Sequence, residues 1–150
     1  MRLADTTPER SASIQHFTVH LSSTRRGARL ARRLIAERLA AWGIPYDSET
    51  SHAAVAVTAE LAANAITHGR LPGRDFLLSL ARLPGGVRIE VEDTRPERLP
   101  KTAATPTGPD VLEAETGRGL LLVAAYAHEW GCQTRDAHTK TVWAEITHPS

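Results

Sequence analysis

Some stretches of this chain carry side chains whose types and spacing could do chemistry. The first is Glu60-Leu61-Ala62-Ala63-Asn64-Ala65-Ile66-Thr67-His68. On a helix, at about 100° per residue, Glu60, Asn64 and His68 fall within an arc of roughly 80°. A carboxylate, an amide and an imidazole then line one strip, while Leu61, Ala62, Ala65, Val55 and Ile66 fill the neighbouring and opposite arc. Asn is a poor helix-interior residue, because its side chain competes for backbone hydrogen bonds. The second candidate is Asp93, which ends a run with Val87, Ile89 and Val91 alternating inward. A carboxylate at a strand end can accept from a ligand amine. The third is Glu115-Thr116-Gly117-Arg118-Gly119-Leu120. Its glycines allow close backbone approach, and a helix N-terminus offers free N–H groups to an anion such as polyphosphate.

Each signal also has an ordinary reading. The helix strip suits a solvated face, Asp93 suits the start of a turn, and Gly-x-Gly before a helix suits a cap. The glycine segment is neither a Walker loop, lacking Gly-Lys-Ser/Thr, nor a dinucleotide fingerprint, since a long loop leads into it. His16 and His20 lie on a strand-like alternation, so helical metal-ligand spacing does not apply, and no Ser, His and Asp set has a nucleophile turn. Arg25, Arg26, Arg29, Arg32, Arg33 and Arg38 could face an acidic partner, but a solvated helix face is the better account of them.

The elements that must position these residues follow from periodicity. Gln15 to Leu21 alternates as a strand. Ser22, Ser23 and Thr24 offer caps to a helix from Arg25 to Trp42 with Leu30, Leu34, Ile35 and Leu39 as its apolar stripe, closed by Gly43 and Pro45. A second helix is expected from Thr50 or Ser51 to His68, stopped by Gly69. Arg74 to Arg82 and Gly86 to Asp93 read as a hairpin around Leu83-Pro84-Gly85-Gly86. Thr94 to Glu115 is Pro-rich loop. A third helix follows from Arg118 to Ala127, then strands His128 to Thr134 and Thr139 to Thr147, joined through Arg135-Asp136-Ala137-His138. The order predicts an α+β, two-layer sandwich, with a mixed, mostly antiparallel sheet and helices on one face.

The chain has 150 residues, 41% of them hydrophobic, enough for one compact core. Its 18 Lys plus Arg against 17 Asp plus Glu argue against a coat for nucleic acid or an anionic membrane. Cys132 is alone, so no intramolecular disulfide forms. Without a signal-like apolar run at Met1 to Arg10 or a membrane-length one elsewhere, a cytoplasmic location is expected.

In order and spacing the three signals resemble the histidine-kinase-like ATPase superfamily (the GHKL or Bergerat fold), and most closely the anti-sigma-factor serine kinases of actinobacterial type. Glu60 to His68 looks like its N box, Asp93 like the first glycine box, and Gly117-Arg118-Gly119-Leu120 like the second. Thr139-Lys140-Thr141-Val142-Trp143 resembles the final strand. One departure stands out: the first box, usually Asp-x-Gly-x-Gly, here runs Asp93-Thr94-Arg95-Pro96-Glu97. The resemblance implies ATP and Mg²⁺ as cofactors. It implies Glu60 as general base, Asn64 as the magnesium ligand and His68 beside it. Asp93 would accept from the adenine amine with Thr141 in support, and Arg95 would stiffen the loop beside the base. Gly117, Arg118, Gly119 and Leu120 would hold phosphate. It further implies a flexible tail at 1–13, one ATPase domain at 14–150 with a nucleotide lid at 94–116, a sigma factor and an antagonist protein as partners, and a homodimer.

Overall fold

The computed structural model describes residues 15–68, 75–94, 118–136 and 139–148. Strand β1 (His16–Ser22) leads into helices α1 (Arg25–Ala41) and α2 (Glu49–His68). Strands β2 (Asp75–Leu83) and β3 (Gly86–Thr94), helix α3 (Arg118–Tyr126), and strands β4 (Glu129–Asp136) and β5 (Thr139–Thr147) follow. The expected tail at 1–13, the Gly69 stop, and the lid beyond Thr94 lie outside the described residues.

The sheet runs β1-β2-β3-β5-β4, and all four pairings are antiparallel. The α+β, two-layer expectation is therefore met. The last two strands do not simply extend the sheet in chain order: β5 inserts between β3 and β4. Its Val142, Ala144 and Ile146 are buried opposite Val91, Ile89 and Val87, which suits a central strand. Glu129, Gln133 and Thr134 of β4 are exposed, which suits an edge. Arg135 and Asp136, expected in the connection, extend β4 past an irregularity at Thr134/Asp136.

Local chemistry sets the helix ends. Thr24 caps α1, its hydroxyl accepting from the Gly27 N–H at 3.0 Å. After α1 the chain reverses at Gly43, whose φ of 90° strains any side chain. The second helix starts earlier than Thr50, at Glu49, because the Ser48 hydroxyl accepts from the Ser51 N–H at 3.1 Å. On α1 the buried stripe is Gly27, Ala31, Ile35 and Leu39, and Leu30 is 38% exposed. The four-residue spacing of small and branched residues, rather than Leu30, meets α2 and the sheet. On α2 the innermost residues are Ala54, Val57, Leu61, Ala62 and Ala65, with Val55 and Ile66 only half-buried. They close one core with Phe76, Leu78 and Leu80 of β2 and Val123 of α3. Leu121 and Leu122 of α3 stay exposed. No helix among the described residues is long and apolar enough to cross a membrane.

Candidate functional site

Alternation along β3 places Val87, Ile89, Val91 and Asp93 on the helix-covered face, and Arg88, Glu90 and Glu92 on the other. Asp93 is 6% exposed, so a carboxylate has been carried into the interior at the end of the strand. Burying such a group is costly unless its lone pairs serve a purpose.

The direction of α2 follows from its first turn. Thr50 Oγ1 meets His148 Nδ1 at 2.7 Å, and the His148 N–H donates to the Gly85 carbonyl at 2.9 Å. The start of α2 thus sits at the end of the sheet where β3 begins and β5 finishes. From there α2, packed on β3 and β5, runs toward Asp93. Asn64 lies fourteen residues past Thr50, about 21 Å at 1.5 Å per residue. Asp93 lies seven past Gly86, about 24 Å at 3.4 Å per residue. The two are level, at the same end of the domain.

Helix α3 approaches that end too. Its last residues, Ala125 and Tyr126, share a surface groove with Glu49, Thr50, His52 and Ala53 at the start of α2. Since α3 also packs along α2, the two helices run antiparallel. Nine residues carry α3 about 13 Å back along α2, so its N-terminus at Arg118 comes level with the stretch around Glu60. The strip on α2, the buried carboxylate and the N-terminus of α3 thus all lie toward the same end of the domain. Side chains at His68, Arg118 and Leu120 are outside the description, as are Arg95 and Gly117 entirely; Gly119 lies in the first turn of α3.

Within this strip Asn64 is 7% exposed, and its amide oxygen Oδ1 accepts no hydrogen bond among the described residues. A buried unsatisfied acceptor costs on the order of 1–3 kcal/mol, a cost that a donor or cation reaching Oδ1 would remove. Glu60 is half-buried, and burial pushes its carboxyl above the ordinary range. A raised pKa makes the ionised carboxylate a stronger proton acceptor than an exposed one. No group of three or more His, Cys, Asp or Glu among the described residues could hold a metal by itself. A single amide oxygen fits Mg²⁺ only where phosphate oxygens and water complete its shell.

Thr141 is placed differently from expectation. Its hydroxyl faces Glu92 Oε1 at 3.5 Å, and in register it pairs with Glu92 on the far side of the sheet. The residue opposite Asp93 is Lys140. The cause is parity: adjacent strand residues point to opposite faces, so a shift of one residue moves the side chain across the sheet. Lys140, across the ladder from Asp93, is a neighbour that only the register reveals.

A model of the histidine kinase-like ATPase domain matches residues 21–146. The chain belongs to the histidine kinase-like ATPase domain family. No curated protein matches it. Among solved structures it is similar to the crystal structure of the RsbU and RsbW domains of Rv1364c from Mycobacterium tuberculosis. That similarity has 22% identity and a TM-score of 0.62 and covers 91% of this chain, which spans 34% of the other. At that identity the likeness is one of fold. Family membership fits the geometry: Glu60 and Asn64 lie on the half of α2 that runs toward the end of β3 where Asp93 is buried.

Proposed function

We propose that this ATPase-family domain binds Mg-ATP and acts as an anti-sigma-factor-type serine/threonine kinase, transferring the γ-phosphoryl group to a serine of an antagonist protein. The observation that carries the reading is the buried amide oxygen of Asn64, without a partner among the described residues and one helical turn from Glu60. Bound Mg-ATP would supply the phosphoryl group and the cation that neutralises it. Asn64 Oδ1 would hold that cation, satisfying its own acceptor. Glu60, desolvated and raised in pKa, would take the proton of the attacking serine hydroxyl. Asp93 would accept from the adenine amine, and the N-terminus of α3 with Gly119 would present backbone N–H groups to phosphate. Phosphoryl transfer asks the protein mainly for positioning and charge neutralisation, which this set would supply with bound Mg-ATP. The partners of this reading are the antagonist, as acceptor, and a sigma factor.

A second reading has one observation in its favour. Thr94-Arg95-Pro96 replaces the glycines that usually follow Asp93. A nucleotide-dependent binding module without transfer activity would tolerate that change more easily than a kinase. Labelled-ATP transfer to candidate antagonist proteins separates the two. The kinase reading expects phosphoserine with wild type and none with Glu60→Gln, while both bind nucleotide. Nucleotide binding without transfer to any antagonist would leave the binding module.

A further inference from the structure

The register of β3 and β5 puts Lys140 directly across from Asp93. Directly opposed residues share a face, with Cβ atoms about 4.5–5.5 Å apart. Along that helix-covered row the next partner of Lys140 is Thr134 on β4. Glu90 and Glu92 are on the other face of β3, so Asp93 is the carboxylate that β3 offers Lys140 on this side. Asp93 is buried and Lys140 half-buried, so both charges stand in a partly dry setting where a counter-charge matters. A lysine can lay its aliphatic stem along the sheet while its ammonium reaches a neighbour.

We propose that Lys140 is a positioning residue for base recognition, holding the Asp93 carboxylate ionised and turned toward the exocyclic amine of an adenine nucleotide. This rests on the nucleotide reading above and adds a group to it. A neutral hydroxyl here would share a hydrogen bond with Asp93; an ammonium fixes its charge as well. Lys140 therefore acts through Asp93 and touches the 6-amino group only indirectly. Its influence falls on recognition of that amine and leaves the triphosphate end untouched.

The test is calorimetric titration of the full chain with two Mg²⁺-bound nucleotides. One is ATP; the other is purine riboside triphosphate, which lacks the 6-amino group. Wild type should prefer ATP. Lys140→Met should weaken ATP binding about tenfold and leave purine riboside triphosphate nearly unchanged, a coupling in the range measured for contacting pairs. Lys140→Arg should restore much of the preference. In an Asp93→Asn background, Lys140→Met should change neither affinity. Circular dichroism melts establish that each variant is folded, and Lys140→Arg carries the test if Lys140→Met is not. Equal weakening of both nucleotides by Lys140→Met, or an unchanged preference for ATP, would overturn the inference while leaving the nucleotide reading in place. Failure of wild type to bind either nucleotide would overturn both.

Discussion

Strands β3 and β5 carry charged residues on both faces, and the two faces treat them in opposite ways. On the face turned from the helices, Arg88 donates to Glu90 at 2.7 Å and to Glu145 at 2.6 Å. Its guanidinium also lies 4.1 Å from the Trp143 ring centroid. Burial works against the Arg88 charge, but the two carboxylates more than offset it and hold its pKa above the ordinary value. Trp143 lies close over Gly131, where a Cβ would come within 2.9 Å of the ring. That cluster is self-contained. On the helix-covered face the same strands end in Asp93 and Lys140, level with an Asn64 oxygen that no described group satisfies. A closed network holds a fold together, whereas a polar group left open in the interior is held for something else.

Variants on the two faces should therefore separate binding from stability. The largest effect expected is on the helix-covered face. Asp93→Ala should weaken Mg-ATP binding well over tenfold in calorimetry while its urea midpoint stays close to wild type. Loss of folding with retained binding in the folded fraction would reverse the assignment of the two faces. Next comes Arg88→Met, which strands two half-buried carboxylates. It should cost about 1–2 kcal/mol in urea unfolding, more at low salt than at high, without changing nucleotide affinity. Gly131→Ala, which forces the Trp143 ring off its seat, should cost about 1 kcal/mol and likewise spare nucleotide binding.

Glu60→Gln gives the smallest stability change but a defined pH dependence. Burial raises the Glu60 carboxyl above its ordinary value of 4.5, so the native state disfavours the charged form. Both states bind the proton well below that value, and the native state then pays nothing. As pH rises through it, the unfolded chain ionises first and wild type loses stability. The advantage of Glu60→Gln should be near zero in acid and grow toward neutral pH. An advantage that shrinks with rising pH would mean Glu60 is stabilised as an anion.

Much of this was legible in the sequence because periodicity reports which side chains face inward. The alternation of Val87, Ile89, Val91 and Asp93 was readable residue by residue, as was the Pro84-Gly85 turn. So was the strip of Glu60 and Asn64 beside a packing face of small residues. What pattern alone could not supply was register. The placement of β5 between β3 and β4 depends on which strand can bury both neighbours, and the identity of the residue facing Asp93 depends on a single step of pairing. A threonine one position along, Thr141, has suitable chemistry and the wrong face. On α1, Leu30 looked like core by type, but the small residues Gly27 and Ala31 permit the closer approach and so take the buried side.

Every role assigned to α2 depends on magnesium-bound nucleotide at its Asn64 end. The most direct test is calorimetry of wild type and Asn64→Ala with ATP, each with and without Mg²⁺. Wild type should bind ATP only with Mg²⁺. Asn64→Ala should lose that binding while unfolding at no lower temperature, since the variant removes a buried amide oxygen that has no partner among the described residues. No binding by wild type in excess magnesium, or binding by Asn64→Ala equal to wild type, would contradict those roles.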